Sequence, residues 1–142
     1  MNLHLRLPLL TLTFALMAGS SAARSEDFYF KTPSDNIYCA YYDNDGKALV
    51  RCDIKSYTPT TPKRPADCDL DWGYAFEIAA GNKRGYIICG GDTVISPEAK
   101  ALPYGSVWTR KGIECSSETT GITCTNRRGH GFFLSRAKQR VF

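Results

Sequence analysis

The dipeptide Asp45-Gly46 lies between two alternating runs, residues 36–44 and 47–54, and constrains the fold more than any other stretch. A two-residue turn of type I′ needs positive φ at both central positions, which Asp-Gly tolerates well. Placing the turn there fixes the register, because every cross-strand partner is then counted outward from it. Ile37 faces Ile54, Cys39 faces Cys52 and Tyr41 faces Val50, all on one face. The other face pairs Tyr38 with Asp53, Ala40 with Arg51 and Tyr42 with Leu49. One face is dry and the other mixed, the pattern of a half-buried antiparallel pair. Counting from a hydrogen-bonded Asn44–Lys47 pair, Cys39 and Cys52 fall on a non-hydrogen-bonded pair, where side chains come closest and a disulfide fits. Closing that loop contributes roughly 3 kcal/mol by the loop-entropy model.

The chain has six cysteines, and all of them follow a segment that reads as a secretory leader. Residues 1–23 carry Arg6, an apolar run over 7–17 and small residues over 18–23, the layout of a signal peptide. The run is too short for a membrane span, and the absence of a cysteine just after the cut argues against a lipid anchor. Residues 24–142 are then a single disulfide-stabilised domain, periplasmic or secreted. Zinc is disfavoured, since no Cys-x-x-Cys occurs and His130 is the one histidine beyond the leader. Neither a metal nor another cofactor is expected. Six cysteines allow about 15 pairings, and sequence alone does not select one. The formal charge of +4 is mildly basic and does not imply nucleic acid.

Further along, residues 27–31 alternate as an opening strand, and residues 32–36 form a turn. Residues 56–66 carry Pro59, Pro62 and Pro65 and read as a surface loop. Asp67, Asp69 and Asp71 alternate like an EF-hand loop, but Trp72 stands where glycine is needed and Ile78 where glutamate is needed. A solvated acidic turn is the better reading. Residues 74–79 and 84–89 suggest a second hairpin, which leaves Cys68 for Cys89 by elimination. Ser96-Pro97 predicts a short helical turn running to Leu102. Residues 106–111 read as a strand with Trp108 on one side and Val107 and Thr109 on the other. Residues 112–126 form a third hairpin, in which a loop over 118–121 sets Cys115 opposite Cys124. Residues 131–134 are a last short strand, and Ser135 caps a predicted turn of helix ending near Phe142. The sum is an all-β fold, a small disulfide-stapled antiparallel sandwich or barrel, with α+β around an antiparallel sheet as the alternative.

Several of these pieces occur together elsewhere. Phe30-x-Thr-Pro-Ser-x-Asn-Ile-x-Cys39, Val50-Arg-Cys-Asp-Ile54, Cys68-x-Leu-Asp-Trp-Gly73, Cys89-x-Gly-Asp-Thr93, Leu102-x-Tyr-Gly105 and Gly129-His-Gly-Phe-x-Leu-Ser-Arg136 span nearly the whole chain beyond the leader. The set resembles a family of small exported bacterial proteins carrying a domain of unknown function. Asp35 stands where that pattern has glycine. The resemblance implies an exported compartment and a disulfide framework, and it implies no reaction.

Three functional classes follow. An extracellular enzyme would use His130, with Ser116, Ser117 and Ser135 near it in sequence, but no Gly-x-Ser-x-Gly elbow is present. A structural envelope protein is the second class. A non-catalytic binding module is the third and the preferred one. Tyr38, Tyr42 and Leu49 on the mixed face offer an aromatic platform, although a second sheet or the proline-rich loop is expected to cover them. Arg127, Arg128 and His130, with Arg136 beyond the last strand, are the candidate binding residues. Flanking Gly129 and Gly131 let a partner approach the backbone there. Such a loop suits an anionic group, on an acidic envelope polymer or an acidic protein patch.

Overall fold

The computed structural model describes residues 28–142; the expected leader, residues 1–23, and Asp27 of the expected first strand lie outside the described residues. Eleven strands follow one another: β1 (Phe28–Lys31), β2 (Ile37–Asn44), β3 (Lys47–Ile54), β4 (Ala75–Ala79), β5 (Tyr86–Ile87), β6 (Lys100–Ala101), β7 (Ser106–Arg110), β8 (Ile113–Glu118), β9 (Gly121–Asn126), β10 (Gly131–Leu134) and β11 (Gln139–Val141). They form a six-stranded sheet of order β5-β4-β3-β2-β1-β6 and a five-stranded sheet of order β11-β10-β9-β8-β7. Every pairing is antiparallel except the short parallel contact of β1 with β6. No helix occurs among the described residues.

The register of the first hairpin is the one the Asp45-Gly46 turn dictates, from Asn44 opposite Lys47 out to Ile37 opposite Ile54. Asp45 and Gly46 both take positive φ, 51° and 80°. Disulfides join Cys39 to Cys52 and Cys115 to Cys124 across facing pairs, and Cys68 to Cys89 between two loops. The inward faces of β2, β3 and β4 pack on those of β8, β9 and β10, so Tyr41, Val50, Phe76, Ile78, Ile113, Ile122 and Phe132 are fully buried in one core. At one side Trp108 stacks on Phe28 and Phe30, with ring centroids 5.9 and 5.2 Å away.

Two predicted helical turns are strands instead. Ser96 does cap a turn, its hydroxyl accepting the Glu98 N–H and its carbonyl the Ala99 N–H. The chain then extends, because Lys100 and Ala101 pair with Phe30 and Lys31 and finish the sheet edge. Ser135 likewise closes a tight turn with Lys138, and the chain returns as β11 against β10. Exposed backbone on a sheet edge has unmade hydrogen bonds, and pairing satisfies them where one turn of helix satisfies few.

The mixed outer face of the first sheet is covered, but by other means than expected. After β5 the chain crosses that face as a strap to reach β6 at the far edge. Arg51 grips it, donating to Asp92 Oδ1 at 2.8 Å and to the Asp92 carbonyl at 2.9 Å, while its Nε donates to Asp53 at 2.9 Å. The fully buried Asp53 carboxylate also accepts the Val94 N–H at 2.9 Å. Tyr38 is roofed by Lys31 and Lys55, whose ammonium groups sit 5.6 and 5.2 Å from its ring centre. The proline-rich loop lies elsewhere, against the edge strand β11, where Thr60 and Gln139 exchange backbone and side-chain hydrogen bonds.

Candidate functional site

Arg127, Arg128 and His130 lie in the turn between β9 and β10, and Asn126 shapes that turn. Its side-chain oxygen accepts the backbone N–H of Arg128 at 3.0 Å and of His130 at 3.2 Å. Its carbonyl accepts from Gly129, and its N–H donates to the His130 carbonyl. An asparagine that mimics a backbone turn in this way is common in loops. Here the same side chain also reaches across to the other sheet. Its amide nitrogen donates to the carbonyls of Ala79 and Asn82 at 3.2 and 2.8 Å, in the turn between β4 and β5. Asn126 is 5% exposed, so these bonds form away from competing water.

The clamp brings two basic turns to one end of the sandwich. Lys83 and Arg84 extend from the β4–β5 turn, Arg127 and Arg128 from the β9–β10 turn, and Lys47 from the first hairpin beside them. All five are exposed. None of these five forms an ion pair with a described residue. Arg128 donates to the Gly81 carbonyl at 3.4 Å, and the Arg127 side chain lies along Gly112 in the β7–β8 turn. Shallow clefts of about 420 Å³ beside Arg127 and about 380 Å³ between Lys47 and Asn82 open on this tip. Lys111 is also at this end, but it is held by Asp43, whose hydrogen bond pushes the ammonium pKa up and the carboxyl pKa down. Asp45 and Glu114 are acids at the same end, both exposed.

Arg136 does not join this group. It follows β10, at the opposite end of that strand from His130, and four extended residues span about 13 Å. Its Nη1 donates to Ser56 Oγ at 3.1 Å. The serines near His130 in sequence are no closer in function. Ser135 is at the Arg136 end, Ser117 is buried between the sheets, and the His130 imidazole bonds to no described serine or carboxylate. Lys83, Arg84 and Asn126 are the site residues that sequence reading misses. The Asn126-to-Arg128 local turn has a sequence signal, whereas its reach to Ala79 depends on how the sheets face each other.

A family model described as "Family of unknown function (DUF6636)" matches residues 8–142. The chain belongs to that family. No curated protein and no solved structure matches it. The motifs that carried the family resemblance have visible structural work in this member. Arg51, Asp53 and Asp92 hold the strap, Asp71 pairs with Gly90 beside the Cys68–Cys89 bridge, and Gly131 lets β10 approach β9.

Proposed function

We propose that this family member is a non-catalytic binding module whose basic tip receives an anionic group. The observation that carries the reading is the Asn126 clamp. It holds two arginine- and lysine-bearing turns from different sheets in one place, and leaves Lys83, Arg84, Arg127 and Arg128 without acidic partners among the described residues. Isolated surface charges contribute little, but several that converge on one partner add direction and attraction, and guanidinium groups bind carboxylate or phosphate two-pronged. His130 contributes to the turn rather than to a reaction. An acidic envelope polymer or an acidic protein patch is the partner in view. Three disulfides fit folding in an oxidising compartment, and together with the leader-like residues 1–23 they support a periplasmic or secreted location.

Fluorescence anisotropy with labelled polyglutamate tests the reading. Wild-type protein should bind, and affinity should fall as salt screens exposed charges over about 8 Å at physiological ionic strength. The variant Arg127→Glu/Arg128→Glu should lose about tenfold or more in affinity, while Arg136→Glu at the other end should bind as wild type. Equal affinity for the double variant and wild type at low salt would remove the tip as the site.

A further inference from the structure

The end of the sandwich opposite the basic tip holds a separate cleft of about 320 Å³. Four turns wall it, and three of them are held by hydrogen bonds beyond the strand ladders. Thr32 and Ser34 bond through their hydroxyls at 3.0 Å. Asn36 clamps the backbone of Ser56 from both sides, its amide nitrogen donating to the carbonyl and its oxygen accepting the N–H, each at 3.0 Å. Ser56 Oγ in turn orients Arg136. Thr119 and Thr120 form the two-residue turn between β8 and β9. Gly105, with φ of 80°, donates its N–H to the Ser117 carbonyl at 2.7 Å, and the preceding residue, Tyr104, is 42% exposed.

The chemistry of the lining is distinctive. Glu118 and Arg136 both face the cleft, both are exposed, and they form no ion pair with each other or with another described residue. A carboxylate accepts hydroxyl protons and a guanidinium donates to oxygen lone pairs. One ligand satisfies both where it carries neighbouring hydroxyl groups, each able to donate and accept. Tyr104 adds an aromatic face for the C–H side of a ring, and the serine and threonine hydroxyls add short polar contacts. The volume lies at the small end of the range for small-molecule sites, room for one or two sugar rings.

We infer that this cleft is a saccharide-binding site, with Tyr104 as the stacking surface and Glu118 and Arg136 as the hydroxyl-reading pair. It is independent of the basic tip, and the probes that test it are uncharged. Nitrogen-15-labelled protein is titrated with diacetylchitobiose and with maltose up to about 10 mM, the weak end of measurable affinity. Saturable amide shifts should appear at residues 32–37, 104–105, 118–121 and 135–137, with residues 126–130 unmoved. Tyr104→Ala and Glu118→Gln, both at exposed positions, should each weaken binding about tenfold or more while leaving the rest of the spectrum in place. Absence of shifts at the cleft with both disaccharides would overturn the proposal. So would shifts unaffected by Tyr104→Ala. A zwitterionic dipeptide that shifts the cleft where the sugars do not would also overturn it, because the Glu118–Arg136 pair would then be reading an amine and a carboxylate.

Discussion

Cys52 Sγ and Cys124 Sγ touch at 3.9 Å across the two sheets, although 72 residues separate them in the chain. Each belongs to its own cross-strand disulfide, so the two stapled hairpins meet sulfur against sulfur in the centre of the core. The Cα atoms of the two bridges are 4.0 and 4.1 Å apart, the close spacing of non-hydrogen-bonded pairs. Replacing Cys39 and Cys52 together by alanine should cost about 2–5 kcal/mol, and so should replacing Cys115 and Cys124. The combined variant should depart from the sum by about 0.5 kcal/mol or more, because residues in contact couple. Denaturant unfolding of the four proteins measures that coupling, and strict additivity would mean the sulfur contact carries no energy.

Gly46 and Gly131 separate two reasons for glycine. At Gly46 a Cβ would meet nothing within 4 Å, so only the φ of 80° resists substitution. Gly46→Val should therefore cost about 1–2 kcal/mol, the left-handed penalty for an L-residue. At Gly131 a Cβ would sit 1.8 Å from the Cys124 carbonyl oxygen, which is backbone in a neighbouring strand. Gly131→Ala should lose about 3 kcal/mol or more, or fail to fold, since β10 must separate from β9. Thermal melts rank the two, and a milder effect at Gly131 than at Gly46 would contradict the packing.

The hairpin of β2 and β3 was legible because its turn chemistry, alternation and cysteine placement all agree on one register. The Cys68–Cys89 bridge came only by elimination, since its cysteines lie in loops that no periodicity describes. The strap was not legible at all. Residues 92–99 have no strand or helix pattern, and what holds them is Arg51 and Asp53 on a strand 41 residues earlier. The basic tip was half legible: Arg127 and Arg128 stand out in sequence, whereas Lys83 and Arg84 join them through bonds between the sheets, from the Asn126 side chain and from Arg128 to Gly81. Arg136 looked like part of the same group because it is near in sequence, but a strand of extended backbone carries it to the other end.

Two carboxyl groups on the outer face should respond to pH in opposite senses. Hydrogen bonding to Arg51 holds the Asp92 carboxyl below its usual range, so its contribution is present above the unfolded pKa and is lost as pH falls through the folded one. Acid should loosen the strap, seen as a lower hydrogen-exchange protection factor at the Val94 amide. Burial pushes the half-buried Glu77 carboxyl up against the smaller pull of Arg51. Its stabilising protonated form is lost as pH rises through the folded pKa, which leaves a charge penalty at neutral pH. Glu77→Gln should raise Tm slightly at pH 7 and give little change in acid. A lower Tm at neutral pH would mean the Arg51 attraction outweighs desolvation.

Asn126 is the position where stability and the proposed binding meet. It has four side-chain hydrogen bonds, two within its own turn and two to the β4–β5 turn. Asn126→Ala removes no charge from the tip, yet it leaves the Asn82 carbonyl and the backbone N–H groups of Arg128 and His130 without their partner, while the Ala79 carbonyl keeps the Asn82 N–H. Each such group costs about 1–3 kcal/mol where water cannot replace the bond, and less where it can. A loss of about 2–4 kcal/mol is expected, read by denaturant unfolding. Asn126→Asp separates the two halves of the clamp. Its carboxylate still accepts the Arg128 and His130 N–H bonds, but it cannot donate to Ala79 and Asn82 and would sit against their carbonyl oxygens. Under conditions where both variants remain folded, polyglutamate affinity should drop in each, because Lys83 and Arg84 are no longer held beside Arg127 and Arg128. Wild-type affinity in a folded Asn126→Asp protein would show that the arginine turn acts alone and that the β4–β5 turn is not part of the site.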